Sequence, residues 1–128
     1  MIQNKKIFIT GGAGFIGSTL IGKLIERNEI VAYDNLARNA LQGKGWKDHK
    51  NLRLVVGDVL DYDKLAKAMA GADVVVHCAA IAGIDTVVKN PVMTMRVNMV
   101  GSANVLEAAS KLPHCDRVVC FSTSEVFG

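Results

Sequence analysis

The sequence predicts an α/β fold, a doubly wound parallel sheet with helices on both faces. Five short runs of β-branched and other apolar residues are continuous instead of alternating, which is typical of strands buried on both sides. Segments with helical periodicity separate these runs, and right-handed crossovers make the doubly wound topology the economical one. The length of 128 residues is that of one domain.

The first strand and the first helix follow each other closely. KKIFIT (Lys5–Thr10) is rich in β-branched and aromatic residues and stops at a glycine turn, as a buried strand does. From Phe15 onward, apolar residues recur at the spacing of one helix face. These residues are Ile16, Leu20, Ile21, Leu24 and Ile25.

Two further strands flank a polar segment. EIVAYD (Glu29–Asp34) and LRLVVGD (Leu52–Asp58) predict the second and third strands. Residues 35–51 between them are polar, with four lysine or arginine side chains against a single acid. We expect a solvated excursion there, with a short helix as the alternative.

The second half of the chain begins with a capped helix. Asp61 is suited to the N-cap of a helix over Tyr62–Ala70, and Gly71 stands where a C′ glycine belongs. DVVVHCAA (Asp73–Ala80) predicts the fourth strand.

A long helix and a last strand complete the predicted sheet. Pro91 suits the first turn of a helix that runs to Leu112, and RVVCFS (Arg117–Ser122) predicts the fifth strand. The predicted apolar face of the long helix consists of Met95, Met99, Ala103 and Leu106.

Composition argues against several classes of partner. Fifteen basic and 12 acidic residues give a net charge of +3, which is too small a surplus to indicate nucleic acid or an anionic membrane. The basic segment 35–51 lacks aromatic residues for base stacking beyond Trp46. No apolar run approaches the roughly 18–20 residues of a membrane span. The cysteines are odd in number and lack CxxC spacing, which predicts buried, reduced thiols in a cytoplasmic protein: Cys78, Cys115 and Cys120.

The glycine-rich segment TGGAGFIG predicts a phosphate-binding turn. Gly11, Gly14 and Gly17 leave a predicted strand and enter a predicted helix, which is the context that gives this spacing its meaning. Glycine permits the tight turn, the approach of a pyrophosphate and the close packing of helix on strand. The unpaired N–H groups of the first helical turn then face the anion. A glycine-rich turn without a ligand is the alternative.

Asp34 ends the second strand, 17 positions after Gly17. A carboxylate there accepts hydrogen bonds from both hydroxyls of an adenosine ribose and repels a 2′-phosphate, which favours NAD over NADP. Arg38 leaves this choice open because a guanidinium pairs with a 2′-phosphate or stacks on adenine. An aspartate that only opens a turn with Asn35 is the bland alternative.

Two later strand ends offer weaker signals. Asp58 can accept a hydrogen bond from an adenine amino group while Val59 offers its N–H, although a Gly-Asp turn looks the same in sequence. Ala79 and Ala80 are small enough for a flat cofactor to pass close to the backbone. We interpret His77 as a hydrogen-bonded core residue, and with no second histidine at metal-ligand spacing we predict no metal site.

Together these segments resemble the extended short-chain dehydrogenase/reductase family of nucleotide-sugar epimerases, dehydratases and decarboxylases. The resemblance implies a Rossmann-like fold, NAD as the cofactor and oxidation of a sugar at C4 through a 4-keto intermediate. Its motifs are TGGAGFIG (10–17), YDNL (33–36), GDV (57–59), HCAA (77–80), RVNMVGSANVLEAA (96–109) and FSTSEVFG (121–128).

The resemblance also implies roles for individual residues. They are Gly11, Gly14, Phe15 and Ile16 at the pyrophosphate, Asp34 and Asn35 at the ribose, Asp58 and Val59 at the adenine, and Ala79, Ala80 and Asn98 along the nicotinamide half.

The last segment carries the catalytic residues that the resemblance implies. Thr123 or Ser124 would hydrogen-bond the reacting hydroxyl. Glu125 would lie next to the sugar C5 and C6, where a carboxylate suits dehydration or decarboxylation more than simple 4-epimerisation. A glutamate in a surface turn is the alternative.

Two parts of the family pattern are absent from the sequence. Neither Tyr33 nor Tyr62 is followed by lysine in a YxxxK pair, and the nucleotide-sugar lobe is missing. We therefore expect residues 1–128 to be the truncated NAD-binding domain of an enzyme that dimerises at full length, and to be inactive alone. The alternative is a catalytically inactive NAD(P)-sensing module.

Overall fold

The structure, a computed structural model, describes residues 1–127 apart from the side chains of Ser124 and Glu125. Five parallel strands form one sheet in the order β3-β2-β1-β4-β5, so the chain winds outward in both directions from β1. This confirms the predicted fold class. The strands are β1 (Lys6–Thr10), β2 (Glu29–Asp34), β3 (Leu52–Val56), β4 (Val74–His77) and β5 (Arg117–Cys120).

The register brings the carboxyl ends of the inner strands level with one another. Thr10 pairs with Tyr33 of β2 on one side and with His77 of β4 on the other. Asp34 pairs in turn with Val56 of β3. The loops that leave β1, β2, β3 and β4 therefore meet at a single edge of the sheet, the position where ligands bind in open α/β folds.

Burial differs between the centre and the edges of the sheet. β1, β2 and β4 are almost wholly buried, as continuous apolar runs predict. β3 and β5 are edge strands, and their residues are half-buried or exposed. The expectation that all five strands are buried on both sides is therefore wrong for these two, because sequence does not distinguish an edge from a centre.

Helix α1 (Phe15–Leu24) starts where the sequence predicts, but its buried stripe is narrower than predicted. Ile21 and the following Ile25 are fully buried, while Leu20 and Leu24 are only partly covered. Ile16 is half-exposed because the smaller Gly17 and Ser18 make the close contact with the sheet.

The polar segment 35–51 forms turns and no helix. It is more than a solvated excursion, since Leu41 is buried and Trp46 packs against the core on the side of α1. A Cβ at Gly22 of α1 would stand 2.6 Å from the Trp46 indole nitrogen, so glycine makes room for the ring there. The indole therefore anchors the segment to the helix.

Helix α2 (Tyr62–Met69) begins where the sequence predicts and ends one residue before the predicted Ala70. The Asp61 side chain accepts a hydrogen bond from the Lys64 N–H at 3.2 Å. Gly71 follows the helix with φ +77°, a conformation that favours glycine.

The predicted long helix consists of three segments, and a short helix α3 (Ile84–Lys89), absent from the sequence prediction, precedes it. These segments are α4 (Pro91–Met95), a π-helical turn (Arg96–Val100) and α5 (Gly101–Ser110). Pro91 lies in the first turn, as predicted. A π-helical turn adds a residue and so rotates the face that follows it.

The predicted apolar face of this long helix is wrong. Met95, Met99, Ala103 and Leu106 are exposed, and Met99 exposes 61% of its surface. The buried side of α5 consists of Val105, Ala108 and Ala109, which pack against α2 and the sheet. Small side chains let the two helices approach closely, so the larger ones point outward.

The cysteines also differ from the expectation. Cys78 and Cys115 are half-buried and Cys120 is exposed, so none has the full burial that the sequence suggested. All three are free thiols. Across the described residues, no helix is long and apolar enough to cross a membrane.

Candidate functional site

A cavity of about 520 Å³ opens at the carboxyl ends of β1, β2, β3 and β4. Eleven of the twelve residues proposed for cofactor binding line it, and Asn98 does not. They are Gly11, Gly14, Phe15, Ile16, Asp34, Asn35, Arg38, Asp58, Val59, Ala79 and Ala80. The topology thus brings together residues that lie up to 69 positions apart in the sequence.

The glycine loop forms the floor of the cavity. Gly11 has φ +67°, and a Cβ there would lie 2.7 Å from the backbone nitrogen of Ala79. A Cβ on Gly17 would lie 2.7 Å from the Cα of Gly12, with the Gly11 carbonyl oxygen closer still. Gly14 is the N-cap of α1, and a Cβ there would lie 3.2 Å from the Gly11 carbonyl oxygen. Packing against the backbone therefore requires glycine at Gly11 and Gly17, while the contact at Gly14 is tight but less severe.

The first turn of α1 directs backbone donors into this floor. The first hydrogen bond within the helix runs from the Ser18 N–H to the Gly14 carbonyl at 2.9 Å. The N–H groups of Phe15, Ile16 and Gly17 precede it and have no acceptor within the helix. With the positive end of the helix dipole, they form a cradle for an anion.

Asp34 lines the cavity beside this cradle and also holds it in shape. Its carboxylate accepts hydrogen bonds from the Ala13 N–H at 3.0 Å and from the Leu36 N–H at 2.7 Å. The residue is only 8% exposed. Asp34 therefore does shape the turn that follows β2, and its carboxylate keeps lone pairs on both oxygens that a ligand could use.

Asp58 stands at the far end of the cavity, after β3. Its carboxylate accepts a hydrogen bond from the Leu60 N–H at 2.9 Å, and its backbone carbonyl accepts one from the Tyr33 hydroxyl at 2.9 Å. Burial raises the pKa of Tyr33 to about 12, so this hydroxyl stays protonated and serves as a donor. A Cβ at Gly57 would lie 2.5 Å from the Tyr33 ring, which places the ring directly under the turn.

His77 closes β4 beneath the cavity and is 5% exposed. Its Nδ1 lies 2.6 Å from the Thr10 hydroxyl and its Nε2 lies 2.9 Å from the Ser102 hydroxyl. Burial lowers the pKa of the imidazole below its ordinary value of 6.5. This confirms the interpretation of His77 as a hydrogen-bonded core residue.

The lowered pKa of His77 predicts a loss of stability in mild acid. The unfolded chain takes up a proton near pH 6.5, whereas the folded ring takes it up only at lower pH. As the pH falls below about 6.5, the unfolded state gains protons and the free energy of unfolding decreases. We expect the thermal midpoint to drop between pH 7.5 and 5.5, and to drop less in His77→Asn.

The exposed His114 provides the control for this experiment. His114→Asn is expected to keep the wild-type dependence of the thermal midpoint on pH. An equal dependence in wild type and His77→Asn would contradict the assignment.

The wall opposite Asp58 is formed by backbone and small side chains. Cys78, Ala79, Ala80 and Ile81 line it, and burial raises the pKa of the Cys78 thiol to about 11. Asn98 reaches this wall from outside, because its side chain accepts a hydrogen bond from the Ile81 N–H at 2.8 Å and donates one to the Ile81 carbonyl at 3.0 Å.

The rest of the cavity lining combines one predicted residue, Arg38, with several that the sequence does not indicate. Among the described residues of the cavity wall, Arg38 provides the sole lysine or arginine side chain, and its guanidinium reaches toward Gly83 at the start of α3. Thr86 of α3 also lines the cavity, but a helix of six residues leaves too short a periodicity to be recognised. The other lining residues without a predicted role in binding are Tyr33, Ala37, Gly57, Cys78, Ile81, Ala82 and Val97.

The proposed catalytic segment follows β5. Thr123 is exposed, and a 3₁₀-helical turn spans Ser124–Phe127. The side chains of Ser124 and Glu125 lie outside the described part of the structure. The described residues contain no group of three or more His, Cys, Asp or Glu side chains placed to hold a metal ion.

Comparison with known proteins assigns the chain to a protein family. The model of the NAD dependent epimerase/dehydratase family matches residues 7–128. The chain belongs to this family. Membership accounts for the glycine loop, the acid at the end of β2 and the parallel sheet in one assignment, and it agrees with the resemblance found in the sequence.

Similar members of the epimerase/dehydratase family are known from several organisms. The chain is 35% identical to UDP-glucuronic acid decarboxylase 6 of Arabidopsis thaliana over 98% of its own length and 36% of that protein. The chain thus spans about a third of the length of the curated relatives that it matches.

Two solved structures of the family superpose on most of the chain. A UDP-N-acetylglucosamine 4-epimerase of Methanobrevibacter ruminantium M1 gives a TM-score of 0.91 at 31% identity, covering 99% of this chain and 40% of that one. The Bordetella bronchiseptica enzyme WbmH in complex with NAD+ gives a TM-score of 0.82 at 33% identity. The match covers 98% of this chain and 41% of WbmH.

Proposed function

We propose that this chain is the NAD-binding part of a nucleotide-sugar epimerase, dehydratase or decarboxylase. The single observation that supports this most strongly is the arrangement of the cavity. An anion cradle of backbone N–H groups at α1 lies between the Asp34 carboxylate on one side and the Ala79–Ile81 wall on the other. This order matches the order of ribose, pyrophosphate and nicotinamide in a dinucleotide.

Each end of the dinucleotide has suitable partners in this arrangement. Asp34 and Asn35 would accept hydrogen bonds from the adenosine ribose, and Asp58 with Val59 would face the adenine. The backbone donors after Gly14 would hold the pyrophosphate. At the other end the methyl groups of Ala79 and Ala80 leave room for a flat ring, and Asn98 would act there through Ile81.

Bound NAD supplies a hydride acceptor for oxidation of the sugar at C4, which gives the 4-keto intermediate of the proposed reaction. In this chain Thr123 or Ser124 would hydrogen-bond the reacting hydroxyl. Glu125 would favour dehydration or decarboxylation, because a carboxylate beside C5 and C6 serves as a proton-transfer group or repels a substrate carboxylate. These roles rest on the match of FSTSEVFG to the family pattern.

We also propose a homodimer at full length and a cytoplasmic location. The exposed Met95, Met99 and Leu106 give the long helix an apolar outer surface that a second copy would cover. Three free thiols are typical of a reducing compartment.

Titration calorimetry with NAD, and separately with NADP, tests the cofactor assignment. NAD is expected to bind, with NADP at least tenfold weaker, a difference of about 1.4 kcal/mol. The reason is that the buried Asp34 carboxylate repels a 2′-phosphate. Preference for NADP would contradict the role of Asp34 and would indicate that Arg38 pairs with the phosphate instead.

A further inference from the structure

A buried chain of hydrogen bonds runs beneath the cavity, and His77 stands at its centre. On one side, His77 Nδ1 meets the Thr10 hydroxyl, which also lies 3.3 Å from the Ala79 N–H. On the other side, His77 Nε2 meets the Ser102 hydroxyl, which lies 2.6 Å from the Asn98 carbonyl. The chain thus connects β1, β4 and α5.

The donors and acceptors of this chain fix the tautomer of His77. A carbonyl only accepts, so the single hydroxyl proton of Ser102 is donated to Asn98. Ser102 must then accept from His77 Nε2–H. In a neutral ring Nδ1 is the acceptor, so the Thr10 hydroxyl donates to it and in turn accepts from the Ala79 N–H. Each proton of the hydrogen-bond chain thus has a single position, and all the hydrogen bonds donate in the same direction, from the Ala79 N–H to the Asn98 carbonyl.

Both ends of the hydrogen-bond chain lie at the same wall of the cavity. Thr10 receives the Ala79 N–H directly, and Asn98, whose carbonyl receives the Ser102 proton, holds both polar backbone groups of Ile81. The wall has only small or apolar side chains toward the cavity, so its shape depends on where these backbone groups are held. His77 itself does not line the cavity.

We propose that His77, as the neutral Nε2–H tautomer, is a positioning residue. It holds the Ala79–Ile81 wall against the glycine loop and thereby sets the affinity for the nicotinamide half of NAD. The inference rests on the proposed function, since it needs NAD in the cavity. The effect is confined to the nicotinamide end of the cavity, because Asp34 ends β2 and Asp58 follows β3, whereas the hydrogen-bond chain connects only β1, β4 and α5.

The test compares NAD with AMP, which probes only the adenosine end of the cavity. Dissociation constants for both ligands are measured by calorimetry on wild type, Ser102→Ala and His77→Asn. Ser102→Ala removes the acceptor of the His77 Nε2–H. His77→Asn retains an acceptor for the Thr10 hydroxyl but loses the hydrogen bond to Ser102. We expect both variants to bind NAD about tenfold more weakly and AMP within twofold of wild type.

Ser110→Ala is the matched control. Ser110 also lies on α5 and donates to a carbonyl of the preceding turn, that of Glu107 at 2.7 Å, but it is exposed and remote from the cavity. It is expected to leave both affinities unchanged. Imidazole ¹⁵N chemical shifts of the wild-type chain are expected to show His77 protonated at Nε2 alone.

The following results would contradict the inference. Equal weakening of NAD and AMP would show a general structural role and overturn the inference, as would unchanged NAD affinity in a folded Ser102→Ala variant. His77 protonated at Nδ1 would overturn it as well. A wild-type chain that binds neither NAD nor AMP would overturn the proposed function and the inference with it.

Discussion

Gly17→Ala is expected to destabilise the fold by about 3 kcal/mol, at the upper end of what overpacking usually costs. The added methyl group would stand 2.7 Å from the Cα of Gly12 and would overlap the Gly11 carbonyl oxygen. Both neighbours are backbone atoms of the glycine loop, so no side chain can rotate away. Relief would require α1 to move off the sheet. Urea denaturation of the variant and the wild-type chain measures the difference.

Gly45→Ala provides the matched control for this substitution. A Cβ at Gly45 has no atom within 4 Å, so the free energy of unfolding is expected to stay within about 0.5 kcal/mol of wild type. The packing argument would be wrong if Gly17→Ala lost less than about 1 kcal/mol.

Asp34→Asn is expected to have the largest effect on cofactor binding. Each carboxylate oxygen of Asp34 accepts a hydrogen bond from a backbone N–H, that of Ala13 or of Leu36. An amide has one oxygen, so its NH₂ group must face one of these donors, which costs about 1–3 kcal/mol of stability. The charge that would hold the ribose hydroxyls is lost as well. NAD is therefore expected to bind about 10–100-fold more weakly.

The measurement is calorimetry with NAD, together with urea denaturation to separate binding from folding. Asp63→Asn is the control because Asp63 is exposed in the first turn of α2 and does not line the cavity. It should bind NAD like wild type. Unchanged NAD affinity in a folded Asp34→Asn variant would mean that Asp34 supports the glycine loop and does not contact the ribose.

The sequence was sufficient for the sheet and for most of the cavity, since both depend on local patterns. Each of these patterns predicts only the structure around it: the apolar runs predict strands, the glycine spacing predicts the loop, and the acid marks the end of β2. The parallel topology then brings these elements to one edge of the sheet. The outward face of the long helix was not predictable in this way. Met95, Met99, Ala103 and Leu106 are all exposed, because Val105 and the small Ala108 and Ala109 form the side that packs against α2 and the sheet. A stripe of large apolar residues does not by itself show which face of a helix is buried.

The hydrogen-bond chain through His77 shows a second limit of sequence reasoning. The apolar strand around His77 correctly predicts a core residue, but its partners Thr10 and Ser102 lie 67 and 25 positions away in the sequence. No local pattern joins them. The contact of Asn98 with the Ile81 backbone is not visible in the sequence for the same reason, because the two residues lie 17 positions apart.

The near absence of cations from the described cavity wall has an electrostatic consequence. A pyrophosphate seated at α1 would be held by fixed backbone dipoles, while Asp34 and Asp58 add negative charge to the described wall and Arg38 adds one positive charge. Dipoles built into the backbone act at contact range, where dissolved salt screens little. Affinity for a dinucleotide should therefore change little with ionic strength.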